Sequence, residues 1–565
     1  DPRWPREPAV GDELTTACER LGLPPAPDLV AAAEAVGTAV AGTAALAALA
    51  VGLLPLVPLA FVLGVGPPLV VRYAPVAAAD LSRTRAVGDA PGLFGRLTLR
   101  LRTEPSLERA VEFAARSGEG DLAQSLAAHA NRARGSPDSG LSSFAAQWGE
   151  QDPWIERASA LVIDAADAPA DARERGVERA LAAARTGVEE RAASFAAEVR
   201  APVTGLYAFG VLLPLALVGV LPAARLAGVN VGIAALSALY NLLLPIGLLG
   251  ASGWLLAERP VSFPPPRIGP SHPEVPDRRR SAALLGVVAG VVTGFGAALL
   301  LPWAVPIVAV GAGGGAALLW LFAPVRELRR EVREIESGLP DALALVGRRV
   351  DDGVAVERAL EAAAAELTGE TGQLLDRAAR RRSQLGLPVE ASFFGRFGVL
   401  RTVPGSRLRD AGQLLALAAT EGPPAGDALV AAGDHLRELA RVERDARREL
   451  AAITGTLSNT AALFGPLVGG VSVAMVGRIP VDAGGSLNGG AASTASGAGT
   501  APLGPDTLGP VVGVYVLLLA AILTGLATAL ERGLEPSLLG YRIGLALPTA
   551  TTAYVAAVLA AEAAL

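Results

Sequence analysis

SAALLGVVAGVVTGFGAALLLPWAVPIVAVGAGGGAALLWLFA, residues 281–323, decides the fold. The stretch carries no charge, and each half supplies the roughly 20 apolar residues a helix needs to cross a bilayer. Proline breaks helices and sets turns, so Leu301-Pro302-Trp303 marks a hairpin between spans at 281–301 and 303–323. The same criterion, carried outward, finds apolar runs at 36–54, 55–71, 203–224, 231–257, 453–477, 507–530 and 542–561. Leu53-Leu54-Pro55-Leu56-Val57-Pro58 is the expected turn between the first two. Strand signals are scarce. The chain therefore reads as an all-α membrane protein with about nine transmembrane helices.

Between the spans lie polar segments. An N-terminal segment covers 1–35, two spans cover 36–71, and a first helical domain covers 72–200. Two spans at 203–257 lead to a Pro/Arg-rich linker at 258–280, with Phe263-Pro264-Pro265-Pro266 and Asp277-Arg278-Arg279-Arg280. Two more spans (281–324) precede a second helical domain at 325–452. Two spans follow within 453–530, separated by a Gly/Ala/Ser-rich outer loop, and 542–561 is the last.

Composition excludes whole chemistries. Of 565 residues, 51% are hydrophobic and 18% charged, which suits neither an ordinary soluble protein nor a disordered one. All 49 basic residues are arginine. Without lysine there is no Gly-Lys-Ser/Thr phosphate loop, no kinase-type lysine and no Schiff base. A single Cys18 rules out an internal disulfide and Cys-rich metal sites. His129, His272 and His435 are scattered, so neither a metal nor another cofactor is expected. A net charge of −6 gives no sign of nucleic-acid binding.

Positive charge close to the spans marks the cytoplasmic side. Arg72, Arg200, Arg259, Arg278, Arg279, Arg280, Arg326, Arg329 and Arg330 share one side if the polar regions and linker are cytoplasmic; Arg225 and Arg478 are exceptions. The N-terminus is then inside and the C-terminus outside, in a multi-pass cytoplasmic-membrane protein. Glu7, Asp12, Glu13, Glu19 and Glu34 precede any apolar run, so a cleavable signal is not expected and the first span serves as an anchor. The chain starts at Asp1 without methionine, and its true start is expected to lie further upstream.

The unit of two spans, a polar region and two spans occurs twice. Leu107-Glu108-Arg109-Ala110-Val111-Glu112 matches Val356-Glu357-Arg358-Ala359-Leu360-Glu361. Asn131-Arg132-Ala133-Arg134-Gly135 parallels Arg380-Arg381-Arg382-Ser383-Gln384-Leu385-Gly386, and Phe209-Gly210-Val211-Leu212-Leu213-Pro214 resembles Phe464-Gly465-Pro466-Leu467. An even number of spans per unit makes this a tandem parallel repeat. Both polar regions read as bundles of five or six helices: Leu339, Leu343 and Val346 share a face, Asp352-Gly353 ends that helix, and Val356, Leu360 and Ala363 begin the next face. Asp434 to Leu450 alternates acids and arginines, as a long solvated helix entering a span would.

The spans hold essentially no ionisable side chain, which argues against ion-coupled transport. Gly311-Ala312-Gly313-Gly314-Gly315 reads as small residues for close helix packing, not as a phosphate loop. Asn241 and Asn459 either bond between helices or line a path for a partner helix. Arg380-Arg381-Arg382, the most concentrated charge of the polar regions, is either a solvated face or a docking surface for an acidic partner or anionic headgroups. Arg348-Arg349 divide the same way. No catalytic constellation is visible, so the chain reads as a non-enzyme.

Gly338-Leu339-Pro340-Asp341-Ala342-Leu343, then Gly353-Val354-Ala355-Val356-Glu357-Arg358-Ala359-Leu360, then Thr454-Gly455-Thr456-Leu457 resemble the type II secretion system F domain. The first half is looser and lacks the Leu-Pro-Asp opening. Two such domains among about nine spans resemble archaeal membrane platform proteins of type IV pili and the archaellum. The resemblance implies a homo-oligomeric platform that couples a cytoplasmic hexameric secretion ATPase to extraction of pilin-like subunits and filament assembly. It implies docking through arginine-bearing helices: Arg380, Arg381 and Arg382 first, then Arg348, Arg349, Arg132 and Arg134. A transporter or channel component is the alternative; an intramembrane enzyme is a third reading.

Overall fold

The computed structural model describes residues 11–35 except 22, scattered positions between 37 and 83, 86–226 except 119, 136–138 and 151, 232–257, 272, 275–476 except 423–424, and 504–564. Among the described residues every regular element is helical. The expected spans at 36–54 and 55–71 with their turn, most of the linker, and the outer loop lie outside the described residues, as do the side chains of Arg225 and Arg478. The remaining seven expected spans correspond to seven helices long and apolar enough to cross a membrane. Over the described residues the protein is thus all-helical, with seven apolar helices compatible with a multi-pass membrane protein.

Near the N-terminus, α1 (Asp12–Leu21) and a helical stretch at 26–35 enclose Leu14, Cys18, Ala26 and Val30. A first bundle follows: α2 (Ala90–Thr103), α3 (Leu107–Ser117), α4 (Asp121–Ala133), α5 (Leu141–Gly149), α6 (Pro153–Ala166) and the start of α7 (Ala170–Tyr207). Ser106 caps α3, its hydroxyl accepting from the Arg109 N–H at 3.4 Å. Leu93, Phe94, Val111, Leu126, Phe144 and Ile155 form the centre of its core.

The second bundle has its own core around Val332, Ile335, Leu343, Leu360, Phe393 and Leu408. It is built from the polar half of α12 (Val305–Asp351), then α13 (Val356–Glu366), α14 (Gly369–Leu385), α15 (Val389–Phe394), α16 (Ser406–Glu421) and α17 (Ala425–Asn459). Leu339, Leu343 and Val346 are buried, as are Val356, Leu360 and Ala363, so the 3.6-residue period placed both faces correctly. Gly353, at φ +84°, takes the left-handed turn between them, and the Val354 N–H donates to the Arg349 carbonyl at 2.9 Å.

The apolar body contains α8 (Leu213–Leu226), α9 (Ile233–Ala238), α10 (Leu244–Ala257), α11 (Arg279–Leu300), the apolar half of α12, α18 (Gly465–Val476), α19 (Pro505–Arg532) and α20 (Pro536–Ala564). Its centre is α19, whose Tyr515, Leu519 and Leu523 are fully enclosed. On α11, Leu284, Val287, Val291, Phe295 and Leu299 face outward, as lipid-facing positions do. Its opposite face repeats glycine every fourth residue. A Cβ on Gly290 would lie 2.9 Å from the Ala309 carbonyl oxygen, and one on Gly313 2.5 Å from that of Gly286, so α11 and α12 cross backbone to backbone. The Gly311–Gly315 run packs the other way too: a Cβ on Gly315 would meet Pro548 of α20 at 2.3 Å.

Helices run unbroken from polar regions into spans, as the alternating acids and arginines of Asp434 to Leu450 predict for the second half. α7 continues through a π-helical turn (208–212) into α8, and α17 continues through another (460–464) into α18. α12 itself, 47 residues long, runs without interruption from the apolar body into the second bundle. At 1.5 Å per residue it reaches about 70 Å.

Candidate functional site

The helices that join the bundles to the apolar body carry the distinctive geometry. Each of three π turns, 208–212, 239–243 and 460–464, ends two residues before a proline: Pro214, Pro245 and Pro466. Proline has no N–H and crowds the carbonyl four residues earlier, and widening the turn relieves that crowding. The residue before each proline donates to the fifth residue back: Leu213 to Ala208, Leu244 to Leu239, Gly465 to Thr460. Two buried tyrosines use the carbonyls of this region. Tyr240 donates to the Pro214 carbonyl at 2.5 Å, and Tyr515 donates to the Gly210 carbonyl; their rings meet edge to face at 5.3 Å. Tyr554 donates likewise to Gly509 at 2.8 Å.

The two bundles also grip each other. Arg96 pairs with Asp410 at 2.8 Å, Arg100 with Glu421 at 2.6 Å, and Arg185 with Glu438. At the same seam, Gly95 leaves room for the imidazole of His435: an added Cβ would sit 3.2 Å from its Nε2. That Nε2 is sealed from solvent and has no hydrogen-bond partner. Burial pushes the His435 pKa down to about 4, so the ring is neutral at pH 7.

The arginines expected to dock a partner fall into separate places. Arg380, Arg381 and Arg382 lie on α14. Arg380 pairs with Asp376 at 2.8 Å, Arg381 donates to the Phe397 carbonyl at 2.6 Å, and Arg382 pairs with Glu361 at 2.6 Å. Arg349, at the end of α12, pairs with Glu366 at 2.8 Å, so α13 is clamped from both sides through Glu361 and Glu366. Arg348 is exposed next to it. Arg132 and Arg134 are exposed on the first bundle, at the end of α4. Arg349 and Arg382 are thus brought to one short helix, whereas Arg132 and Arg134 belong to the other core.

Sequence reading missed the tyrosine–carbonyl bonds, the seam and a buried pair between Arg329 and Glu535 at 2.5 Å. The partners in these contacts are far apart in sequence. A proline-based search for freed carbonyls would have flagged Gly210. Among the described residues no group of three or more His, Cys, Asp or Glu side chains could hold a metal. Compared with known proteins, the chain matches no family model, no curated protein and no solved structure.

Proposed function

We propose that this chain is a cytoplasmic-membrane platform protein of a type IV pilus-like assembly, archaellum-like machine or secretion device of archaeal type. In this reading it couples a hexameric cytoplasmic ATPase to pilin extraction and filament growth. The bundles are cytoplasmic, the N-terminus inside and the C-terminus outside. The carrying observation is the pair of uninterrupted helices, α7 into α8 and α17 into α18. Each runs from a helical bundle through a π turn into the apolar body. Such helices pass a push or rotation on a bundle directly into the membrane-embedded part.

Support for tandem duplication comes from spacing. α3 begins at Leu107 and α13 at Val356, α4 at Asp121 and α14 at Gly369, and the π turns at Ala208 and Thr460. These offsets stay close to 250 residues, the spacing of the sequence repeats. The interior around α19 is filled with Leu, Val and Tyr side chains whose hydroxyls are bonded to carbonyls. That packing favours a mechanical part over a transporter or channel.

The test is recruitment. The full chain in detergent should co-purify with a secretion ATPase from the same cell, and the triple change Arg380→Ser, Arg381→Ser, Arg382→Ser should weaken recruitment without affecting membrane insertion. Unchanged recruitment removes the docking assignment; no recruitment by the unaltered chain removes the platform reading.

A further inference from the structure

Three uncharged runs end at one place. The run 281–325 stops at Arg326, the run 507–530 at Glu531-Arg532, and the run 543–561 begins after Arg542. The Arg329–Glu535 pair draws the turn after α19 against α12, so these ends are neighbours. Arg326 stacks over the Tyr541 ring at 4.5 Å and donates to its hydroxyl. Tyrosine at such a boundary marks the headgroup level of a bilayer.

Arg532 pairs with Glu531 at 3.3 Å and Glu327 lies within electrostatic reach of Arg330, so the positive charge left over rests on Arg326, Arg333 and Arg542. On α12, Arg326, Arg329, Arg330 and Arg333 recur at helical spacing. Arg330 is matched by Glu334 at 2.9 Å. Arg329 is 4% exposed and gives one nitrogen to Glu535, while its Nε and Nη1 are buried without an acceptor. Among the described residues Arg333 donates only to the Arg329 carbonyl, at 3.2 Å. Burial and the guanidinium groups of Arg532, Arg447, Arg329 and Arg326 hold its pKa below the ordinary arginine value. Arg447 has Glu443, but Arg407 shares that carboxylate, and burial pushes the nearby Glu336 carboxyl up. Arg326 and Arg542 are exposed, and among the described residues neither has a carboxylate within ion-pair distance. Arg542 lies within electrostatic reach of Arg532 and Arg326, and of the Glu531 carboxylate, which opposes them.

We infer that Arg326 and Arg542, backed by Arg333, bind the phosphate of an anionic phospholipid in the leaflet that faces the two bundles. Guanidinium forks match phosphate oxygens. Basic pockets between membrane helices at the headgroup level suit lipid phosphates. The position, directly where three spanning runs meet their polar ends, selects a headgroup over a soluble anion or an acidic protein. The inference rests on the membrane reading and not on the ATPase coupling.

The test uses the full chain in a zwitterionic detergent, with retained lipid measured by native mass spectrometry after adding phosphatidylglycerol or phosphatidylcholine. Phosphatidylglycerol should be retained preferentially. At about one kcal/mol per surface arginine, Arg542→Gln should weaken that retention roughly five-fold, and Arg326→Gln with Arg542→Gln roughly thirty-fold. Arg116→Gln, exposed on α3 of the first bundle, should leave it unchanged. Equal retention of both lipids overturns the inference, as does equal retention by the single and double variants. Displacement by millimolar inorganic phosphate assigns the site to a free anion, and displacement by poly-glutamate assigns it to an acidic protein; either overturns the lipid. Arg542→Gln carries the test if the double variant fails to fold. ATPase recruitment, measured in parallel, separates failure here from failure of the platform reading.

Discussion

The hydroxyl of Tyr515 on α19 donates to the carbonyl of Gly210, 305 residues away in sequence and four residues before Pro214. Pro214 has no N–H to give that carbonyl, so the central helix supplies the donor that the broken ladder lacks. Sequence made the vacancy; packing filled it. The same solution links a bundle-connected helix to the middle of the apolar body, where an unpaired carbonyl is costly.

Removing only the hydroxyl isolates this bond. Tyr515→Phe should destabilise the detergent-solubilised protein by about 1 kcal/mol, the scale measured for hydrogen bonds inside membrane proteins. Thermal unfolding should shift down by a few degrees at most. Tyr515→Ala, which also opens a cavity beside Tyr240, should cost several-fold more. Equal losses from both changes would mean that the bond contributes nothing beyond shape.

The α11–α12 crossing depends on absent side chains. Gly290→Leu should separate the two helices, because its Cβ alone already falls 2.9 Å from the Ala309 carbonyl oxygen. Gly296 has nothing within 4 Å of an added Cβ, so Gly296→Leu is the matched control. Limited proteolysis in detergent should show faster cleavage for the first variant and wild-type behaviour for the second.

Arg329 and Glu535 are a buried pair, their side chains 5% and 16% exposed. Removing one partner leaves the other charge stranded, at roughly 3–5 kcal/mol. Glu535→Gln should therefore lower unfolding temperature strongly, and Arg329→Met with Glu535→Leu should recover much of the loss. Recovery in the double variant, read by thermal melting, separates charge stranding from simple loss of contacts.

His435 gives a pH dependence with a definite sign. An unfolded imidazole takes its proton near pH 6.5, but the folded one only near 4, because burial at the seam between α2 and α17 disfavours the charged form. Glu438 opposes that shift, while Arg102 and Arg185 reinforce it; Pro91 supplies a backbone acceptor. Between those pH values the unfolded chain holds more protons, so stability falls as pH falls from about 6.5 to about 4, by a total on the order of 3 kcal/mol. The difference in melting temperature between wild type and His435→Gln should shrink over that window. A constant difference would sink the assignment to His435.

Much of the fold was legible because the relevant physics is local. A charge-free run of about 20 residues must be covered by lipid or protein, and residues 281–323 declare this unaided. Periodicity placed Leu339, Leu343 and Val346 inside, and Gly353 does mark a helix end. The candidate site was less legible. Arg380, Arg381 and Arg382 are a run in sequence, yet in space they divide between Asp376, the Phe397 carbonyl and Glu361. The connection between bundle and span was legible for the second half, where Asp434 to Leu450 reads as a helix entering a span; no such pattern marks the first half, where Pro202 lies inside α7. A proline in a helix carries its cost in a freed carbonyl, and whether that cost is tolerated depends on neighbours that no local window contains.

By itself, then, the sequence determined which stretches avoid water, which helices they form and which faces of those helices are apolar, because hydrophobic length and the 3.6-residue period act within a few turns. Only the tertiary structure decided that Tyr515 serves Gly210, that Arg329 meets Glu535, and that Arg96 reaches Asp410 across 314 residues. Those pairings follow from which faces meet when helices pack. Their worth comes from shared burial, a property no residue has until its partner arrives.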